Sequence, residues 1–439
     1  MDSETLSVLL ARLVRRHRIP GAQLAVRWRG QTITAEAGEE SVGTGRPVTS
    51  RSAFPMGSLT KPFTATLAMM LVADGDVELD VPLATYLPEL GFGPGQVTLR
   101  QLLSHTGGLV ATVDETASGM TRRRWVDSRA AMAHPPGFAF SYSNAGYLLA
   151  AHLVEVITGM SWRQAVESFL LRPLGIAPLF VVDPPPRSGT PPVADGHAVR
   201  PHAPALPIRE QSVSPLEEPV AGLAASAADL VAFAGLHLPA CPEPALLDDA
   251  TTEEMRRDRL DDVAVGSFGL ADGWGPGWSL YRRAGREWFG HDGTGDGAWC
   301  HLRAEPVSGT VVALMTNGST GVSLWEALVG ELRSMGLDVG DYRLSALLDP
   351  GPPAPGPAEC AGHYANGSWT CVVEASGGEL YLSVGSEPGW KLSCFQDLRF
   401  TTAGADRGAM PYIGRFLRDP ATGRVDLLQI TGRLVRRRE

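Results

Sequence analysis

Pro55-Met56-Gly57-Ser58-Leu59-Thr60-Lys61-Pro62-Phe63 opens an apolar run that continues Thr64-Ala65-Thr66-Leu67-Ala68-Met69-Met70-Leu71-Val72. Gly-Ser ahead of such a run reads as a helix start, and Pro62 is tolerated because the first turn has N–H groups to spare. Asp74-Gly75 supplies the stop. Three residues apart, Ser58 and Lys61 share one helix face, at the end where the dipole favours negative charge. A serine hydroxyl is a poor nucleophile until a base takes its proton, and a desolvated, neutral lysine is such a base. On spacing alone, an ordinary first-turn lysine beside an N-cap serine reads the same. Lysine is rare here, however: only Lys61 and Lys391 occur among 38 basic residues. Arginine serves wherever a plain charge suffices, and arginine does not deprotonate, whereas buried lysine shifts its pKa readily. The scarcity favours chemistry at Lys61.

By length, 439 residues hold two or three domains, or a large one with a small one. With 44% hydrophobic and 20% charged residues a substantial core is available. The formal net charge of −10 argues against nucleic acid as a partner. Cys241, Cys300, Cys360, Cys371 and Cys394 lack metal-type spacing and read as reduced and structural. The first 18 residues form an amphipathic helix with acidic residues where a signal peptide needs basic ones. No run approaches a membrane span, so the expectation is a cytoplasmic protein.

Gln23–Trp28 and 32–37 read as two strands joined at Gly30. Val97 to Gly108 contains a short helix ending at Gly107-Gly108, with His105 a structural group at its end. Pro135-Pro136-Gly137 breaks the chain before Ser141-Tyr142-Ser143-Asn144, which leads into a helix over 148–158 capped by Gly159. In an extended segment Tyr142 and Asn144 point to the same side, although Ser/Asn clusters before helices are usually caps. Residues 183–207, rich in proline, read as a long loop without regular structure, either a lid or an inert excursion. A helix follows Ser226 as its cap.

Residues 268–316 alternate like antiparallel strands. Gly290, Gly293, Gly295 and Gly297 leave the backbone bare around His291, as a strand needs when a ligand lies against it. Asp292-Gly293 as a hairpin turn is the bland alternative. A last helix over 322–335 ends the large domain, and Pro/Gly-rich residues 347–358 form a stiff linker. Beyond it, many short strands with turn signals indicate a small β-barrel, one of them running unbroken from Val425 to Leu434.

Ser58-x-x-Lys61, Tyr142-x-Asn144 and His291-Asp-Gly293, in that order, resemble the serine β-lactamase and penicillin-binding-protein superfamily, in its class C β-lactamase-like branch. The resemblance covers about residues 5–340 and includes Leu102-Leu-Ser-His-Thr-Gly-Gly-Leu109. It implies an α/β (α+β) domain with a central antiparallel sheet and a helical subdomain over 1–346, then the linker, then an antiparallel, lipocalin-like barrel over 359–439. It implies an acyl-enzyme on Ser58, with Lys61 and Tyr142 sharing the base role and Lys61 lowering the phenol from about 10. Asn144 would hold Lys61, and backbone N–H groups of Ser58 and Thr294 would form the oxyanion hole. No cofactor and no metal are implied. One departure stands out. The β-lactamases carry Lys-Thr-Gly where this chain has His291-Asp-Gly293, and a histidine is mostly neutral at pH 7. That speaks against efficient β-lactam hydrolysis.

Within the branch, Leu59–Met69, Phe289-Gly-His-Asp-Gly-Thr-Gly-Asp-Gly297 and the small barrel are similar to the standalone penicillin-binding-protein-type thioesterases of nonribosomal peptide pathways. This narrower resemblance implies a linear peptidyl thioester on a peptidyl carrier protein as substrate, with a D-residue at the acyl end, released by head-to-tail macrolactamisation. An esterase or D-stereospecific peptidase of the same fold is the alternative. No membrane partner and a monomer are the remaining expectations.

Overall fold

A computed structural model describes residues 2–113, 115–117, 119–182, 193–200, 202–208, 211–239, 246–342, 352–385, 389–402, 412–420 and 422–438. Thr310–Thr316 is buried at every position, as a strand is when helices cover both faces of its sheet. Strands β1 (Gly21–Trp28) and β2 (Gln31–Gly38) form the expected hairpin, while β3 (Phe54–Pro55), β4 (Leu179–Phe180) and β7 (Leu223–Ala225) make a small three-stranded sheet. β8 (Gly273–Trp274), β9 (Ser279–Arg283), β10 (Arg286–Gly295), β11 (Ala298–Glu305) and β12 (Thr310–Thr316) complete an antiparallel sheet of order β2-β1-β12-β11-β10-β9-β8.

Successive residues of β1 serve opposite layers. Leu24 and Val26 meet the N-terminal helix (Ser3–His17) and the Gly321–Ser334 helix, whose Leu10, Leu13, Leu328 and Leu332 fill that side. Ala25 faces the helical subdomain through Phe63, Leu67 and Phe233. Burying each such leucine or phenylalanine contributes on the order of 2 kcal/mol before entropy is counted. The helix after Ser58 (Thr60–Ala73) is buried on all sides, Lys61 included, and packs on the Asn144–Thr158 helix.

The proline-rich stretch departs from its reading. Residues 183–192 lie outside the description, but β5 (Gly196–Ala198) pairs with β6 (Leu206–Ile208). Prolines flank this ladder, and the one within it, Pro207, sits in a two-stranded sheet that is edge throughout and so tolerates a missing N–H.

Eight antiparallel strands, β13 (Gly362–Asn366), β14 (Trp369–Ser376), β15 (Glu379–Val384), β16 (Trp390–Cys394), β17 (Arg399–Thr402), β18 (Ile413–Arg418), β19 (Val425–Ile430) and β20 (Arg433–Arg437), close into a barrel. Alternation sends Cys371, Leu382, Phe400, Phe416 and Ile430 into a packed interior. Cys300, Cys360, Cys371 and Cys394 are free and buried; Cys241 lies outside the described residues. The unbroken strand expected over 425–434 is in fact two. Thr431 and Gly432, at φ 47° and 71°, make a two-residue hairpin turn, whose twist suits the flanking strands. Of the 347–358 stretch, Pro353 bridges to Phe395 and the Ala354 N–H donates to the Cys394 carbonyl, so this part runs along the barrel.

The Thr431-Gly432 turn is also where the barrel meets the large domain. The Tyr142 N–H donates to the Gly432 carbonyl at 2.9 Å. Asn366 accepts from the Ala111 N–H at 2.8 Å and donates to Leu434 O at 2.8 Å, and Ser141 Oγ accepts from the Leu434 N–H. The helices of the described residues include none long and apolar enough to cross a membrane.

Candidate active site

Ser58 sits in a single 3-10 turn, Gly57–Leu59, that runs into the helix. Gly57 makes the corner with φ +50°, and a Cβ there would lie 2.0 Å from the Thr294 carbonyl oxygen. β10 thus lies directly against the serine turn. A Cβ on Gly293 would meet Met56 O at 1.9 Å, so this bareness of β10 serves the Ser58 turn and not, as expected, an incoming ligand. Asp292-Gly293 is no hairpin turn either, since β10 continues to Gly295.

Lys61 Nζ lies 3.0 Å from Ser58 Oγ and donates to the Val220 carbonyl at 3.1 Å. Burial, and then the cation of Arg433, hold its pKa well below the ordinary lysine value. Tyr142 is pushed the other way. Burial raises its phenol, against a side-chain hydrogen bond from Ser58 and the charge of Arg433, which lower it. The expectation that Lys61 depresses the phenol is therefore overturned: a lysine driven toward neutrality has little charge to lend. Tyr142 Oη is 3.5 Å from His291 Nε2, whose ring nitrogen Nδ1 donates to the Asp292 carbonyl at 2.6 Å. That bond leaves Nε2 as the acceptor of a neutral imidazole. Burial, the largest cause, takes His291 down to about 4.

Asn144 is not in the extended segment with Tyr142. Ser143 is the N-cap, its Oγ accepting from the Gly146 N–H at 2.9 Å, and Asn144 is the first residue of the helix. Its Oδ1 is buried without a hydrogen-bond partner among the described residues, and the partners of Lys61 Nζ are Ser58 and Val220. The expected Asn144–Lys61 hydrogen bond is thus absent here, Lys61 Nζ donating to the Val220 carbonyl instead. His105 is structural: its Nδ1 accepts from the Ser143 N–H, its carbonyl accepts from the Ser141 N–H, and its ring packs 4.2 Å from that of Tyr142. It fixes the segment that carries Tyr142.

A cavity of ≈ 560 Å³ opens on Ser58, Tyr142, His291 and Thr294. The barrel supplies one wall through Trp369, Tyr412, Ile413 and Arg433. The guanidinium of Arg433 stands 5.4 Å from the Tyr142 ring centroid and 5.6 Å from that of Trp369. Its Nε is buried without a hydrogen-bond partner, and no described carboxylate pairs with it. The sequence reading missed Arg433, because one arginine among many carries no signal until the turn at Thr431-Gly432 is seen. The cavity is also lined by Asp292 of β10, His301 and Arg303 of β11, and Trp325 and Glu326 of the Gly321–Ser334 helix.

The family model "Beta-lactamase" matches residues 6–328. Penicillin-binding protein 4 of Amycolatopsis lactamdurans is 34% identical over 357 residues, covering 79% of this chain and 92% of that protein. Esterase EstB of Burkholderia gladioli is 28% identical over 318 residues, 62% of this chain and 78% of the esterase. The crystal structure of SurE with D-Leu is similar over 99% of both chains, with 40% identity and a TM-score of 0.84.

Proposed function

The chain belongs to the beta-lactamase family, and from that premise we propose that it is a serine acyltransferase that cyclises peptides through an acyl-Ser58 intermediate. Neutral Lys61, 3.0 Å from Ser58 Oγ, takes the hydroxyl proton as the oxygen attacks a peptidyl thioester carbonyl. The N–H groups of Ser58 and Thr294 receive the oxyanion. The C–S bond breaks, and the thiol leaves with a proton relayed by Lys61 and Tyr142. The peptide's own amine then attacks the Ser58 ester, loses a proton to the same pair, and the C–O bond breaks to return Ser58 and give a macrolactam. Asn144 orients the acyl amide, and His291 accepts from the Tyr142 hydroxyl, which leaves the phenol oxygen's lone pairs to face the serine.

The observation that carries this reading is the barrel wall over the serine. A hydrolase needs water at the acyl-enzyme, whereas ring closure needs water excluded and the amine held near, a gain in effective concentration. Trp369, Tyr412 and Ile413 supply apolar cover, and Arg433 supplies a cation that His291 lacks. Likeness to SurE over the whole chain, barrel included, supports the same reading, and its structure with D-Leu supports a D-residue at the acyl end. A carrier-protein thioester is the proposed donor, in the cytoplasm, with the enzyme acting as a monomer. The likeness to EstB favours the second reading, hydrolysis to the linear acid. Incubation with linear peptidyl thioesters ending in D- or L-residues, followed by mass spectrometry, separates the two. Loss of thiol without gain of water, only for D-ended peptides and only with Ser58 intact, supports cyclisation. Gain of water throughout makes the enzyme a hydrolase, and turnover that survives Ser58→Ala removes the nucleophile assignment.

A further inference from the structure

One wall of the cavity gathers several charged side chains. Arg303, 1% exposed, donates to Asp292 at 2.7 and 3.0 Å and to Asp341 at 2.8 Å. Its guanidinium lies over the Tyr281 ring at 3.9 Å. One cation thus answers two carboxylates. Glu326, on the helix above, adds a third and forms no ion pair with any described residue. Burial, then the neighbouring Asp341, push its carboxyl upward, against the opposing pull of His301.

His301 supplies the second, independent sign of an absent ligand. It is 1% exposed, and its ring is held parallel between Trp299 and Trp325, with centroids 6.1 and 4.7 Å away. Nδ1 bonds Asp292 Oδ1 at 2.8 Å. The carboxylate accepts, so Nδ1 carries the hydrogen, and in that tautomer Nε2 is the acceptor of the ring. That Nε2 is buried without a partner among the described residues, on a side chain that lines the cavity. Buried acceptors are paired in nearly all folded proteins, because leaving one unpaired costs about 1–3 kcal/mol.

We propose that the wall of the cavity at His301 and Glu326 is a subsite for a primary ammonium on the acyl chain. Its donors meet the His301 lone pair and the Glu326 carboxylate, and its charge balances the surplus carboxylate. Arginine fits less well, since its planar fork needs two acceptors in one plane. Two sources carry this chemistry, the peptide's free amino end and a lysine- or ornithine-type side chain. The inference rests on the reading of this cavity as the acyl-chain site.

The test uses the full-length Ser58→Ala protein and peptide carboxamides, which bind without reacting. One pair has a free or an acetylated amino end with neutral side chains. A second pair, acetylated at the end, carries one lysine side chain free or acetylated. Calorimetric titration is expected to show at least one free-amine peptide binding about ten- to thirtyfold tighter than its acetylated twin, as a charge-assisted bond provides. The pair that shows the difference identifies the source. Adding Glu326→Gln is expected to erase that difference while leaving the acetylated peptides unchanged. Equal affinities within both pairs overturn the subsite, as does a preference that survives Glu326→Gln or a loss that falls equally on all four peptides. Failure of the intact enzyme to release thiol from thioesters would instead strike the acyl-transfer reading and leave this binding result standing.

Discussion

Arg433 reaches across from the barrel to stand over Tyr142, its guanidinium carbon 5.4 Å from the ring centroid. The contact is held by backbone: the residue before it, Gly432, accepts from the Tyr142 N–H. The charge of Arg433 lowers both Lys61 and Tyr142, though burial dominates each. A residue some 290 positions beyond Tyr142 in the chain therefore adds to what burial does to the proposed base.

The pH profile should report that influence. Lys61 acts when neutral, so the acid limb of acylation follows its deprotonation and lies below the ordinary lysine range. Arg433→Gln removes a cation that disfavours charged Lys61, so the lysine pKa rises and the limb moves to higher pH. Stopped-flow thiol release across pH 5–10 (roughly the span from His to Lys reference values) reads the shift. A limb that stays in place means that Arg433 does not act through the base.

Gly57→Ala tests the corner that seats β10. Its Cβ would lie 2.0 Å from the Thr294 carbonyl oxygen, at a φ of +50° that alanine also disfavours. Either the turn or β10 must shift by an ångström or so, and such misplacement costs on the order of 10²-fold in rate. Acylation should fall by about that factor while the far-ultraviolet circular dichroism stays native. An active Gly57→Ala enzyme would mean that Ser58 tolerates displacement from Thr294.

Much of this site was legible in the sequence because it is local. Ser58 and Lys61 are one helical turn apart, and the helix that brings them together is marked by its own apolar run. Tyr142 and His291 were legible only through resemblance, since their meeting at 3.5 Å depends on how β10 and the segment after Pro136 dock. Arg433 was hidden for two reasons. Thr431-Gly432 is a weak hairpin signal, lacking the Asn or Asp that usually takes the first left-handed position. Its partner Tyr142 is also reached only after the barrel docks on Asn366 and Gly432. The direction of the Tyr142 shift was misjudged because burial, which decides it, is not visible in spacing.

Arg303→Met tests the charge network behind His291. The substitution keeps much of the side-chain volume beneath Tyr281 but leaves Asp292 and Asp341 without their shared cation. Breaking a buried pair from one side costs about 3–5 kcal/mol. Chemical denaturation should show a loss of that size, while the double change Arg303→Met with Asp341→Asn should be less destabilised than the sum of the singles. Strict additivity would mean that the two side chains do not act as a unit.

Asn366→Ala loosens the barrel without touching the serine. Asn366 satisfies the Ala111 N–H and the Leu434 carbonyl, both buried at the junction. Leaving them unpaired costs about 1–3 kcal/mol each, and that cost falls on the contact between barrel and large domain rather than on the core of either. With that contact weakened, water should gain access to the acyl-enzyme. Under the cyclase reading, the ratio of linear acid to macrolactam rises several-fold, whereas the rate of thiol release, set by Ser58 and Lys61, changes little. Mass spectrometry of products beside a thiol assay separates these two quantities. If release and cyclisation fall together, the barrel acts on acylation itself, and its proposed part as a cover against water would be wrong.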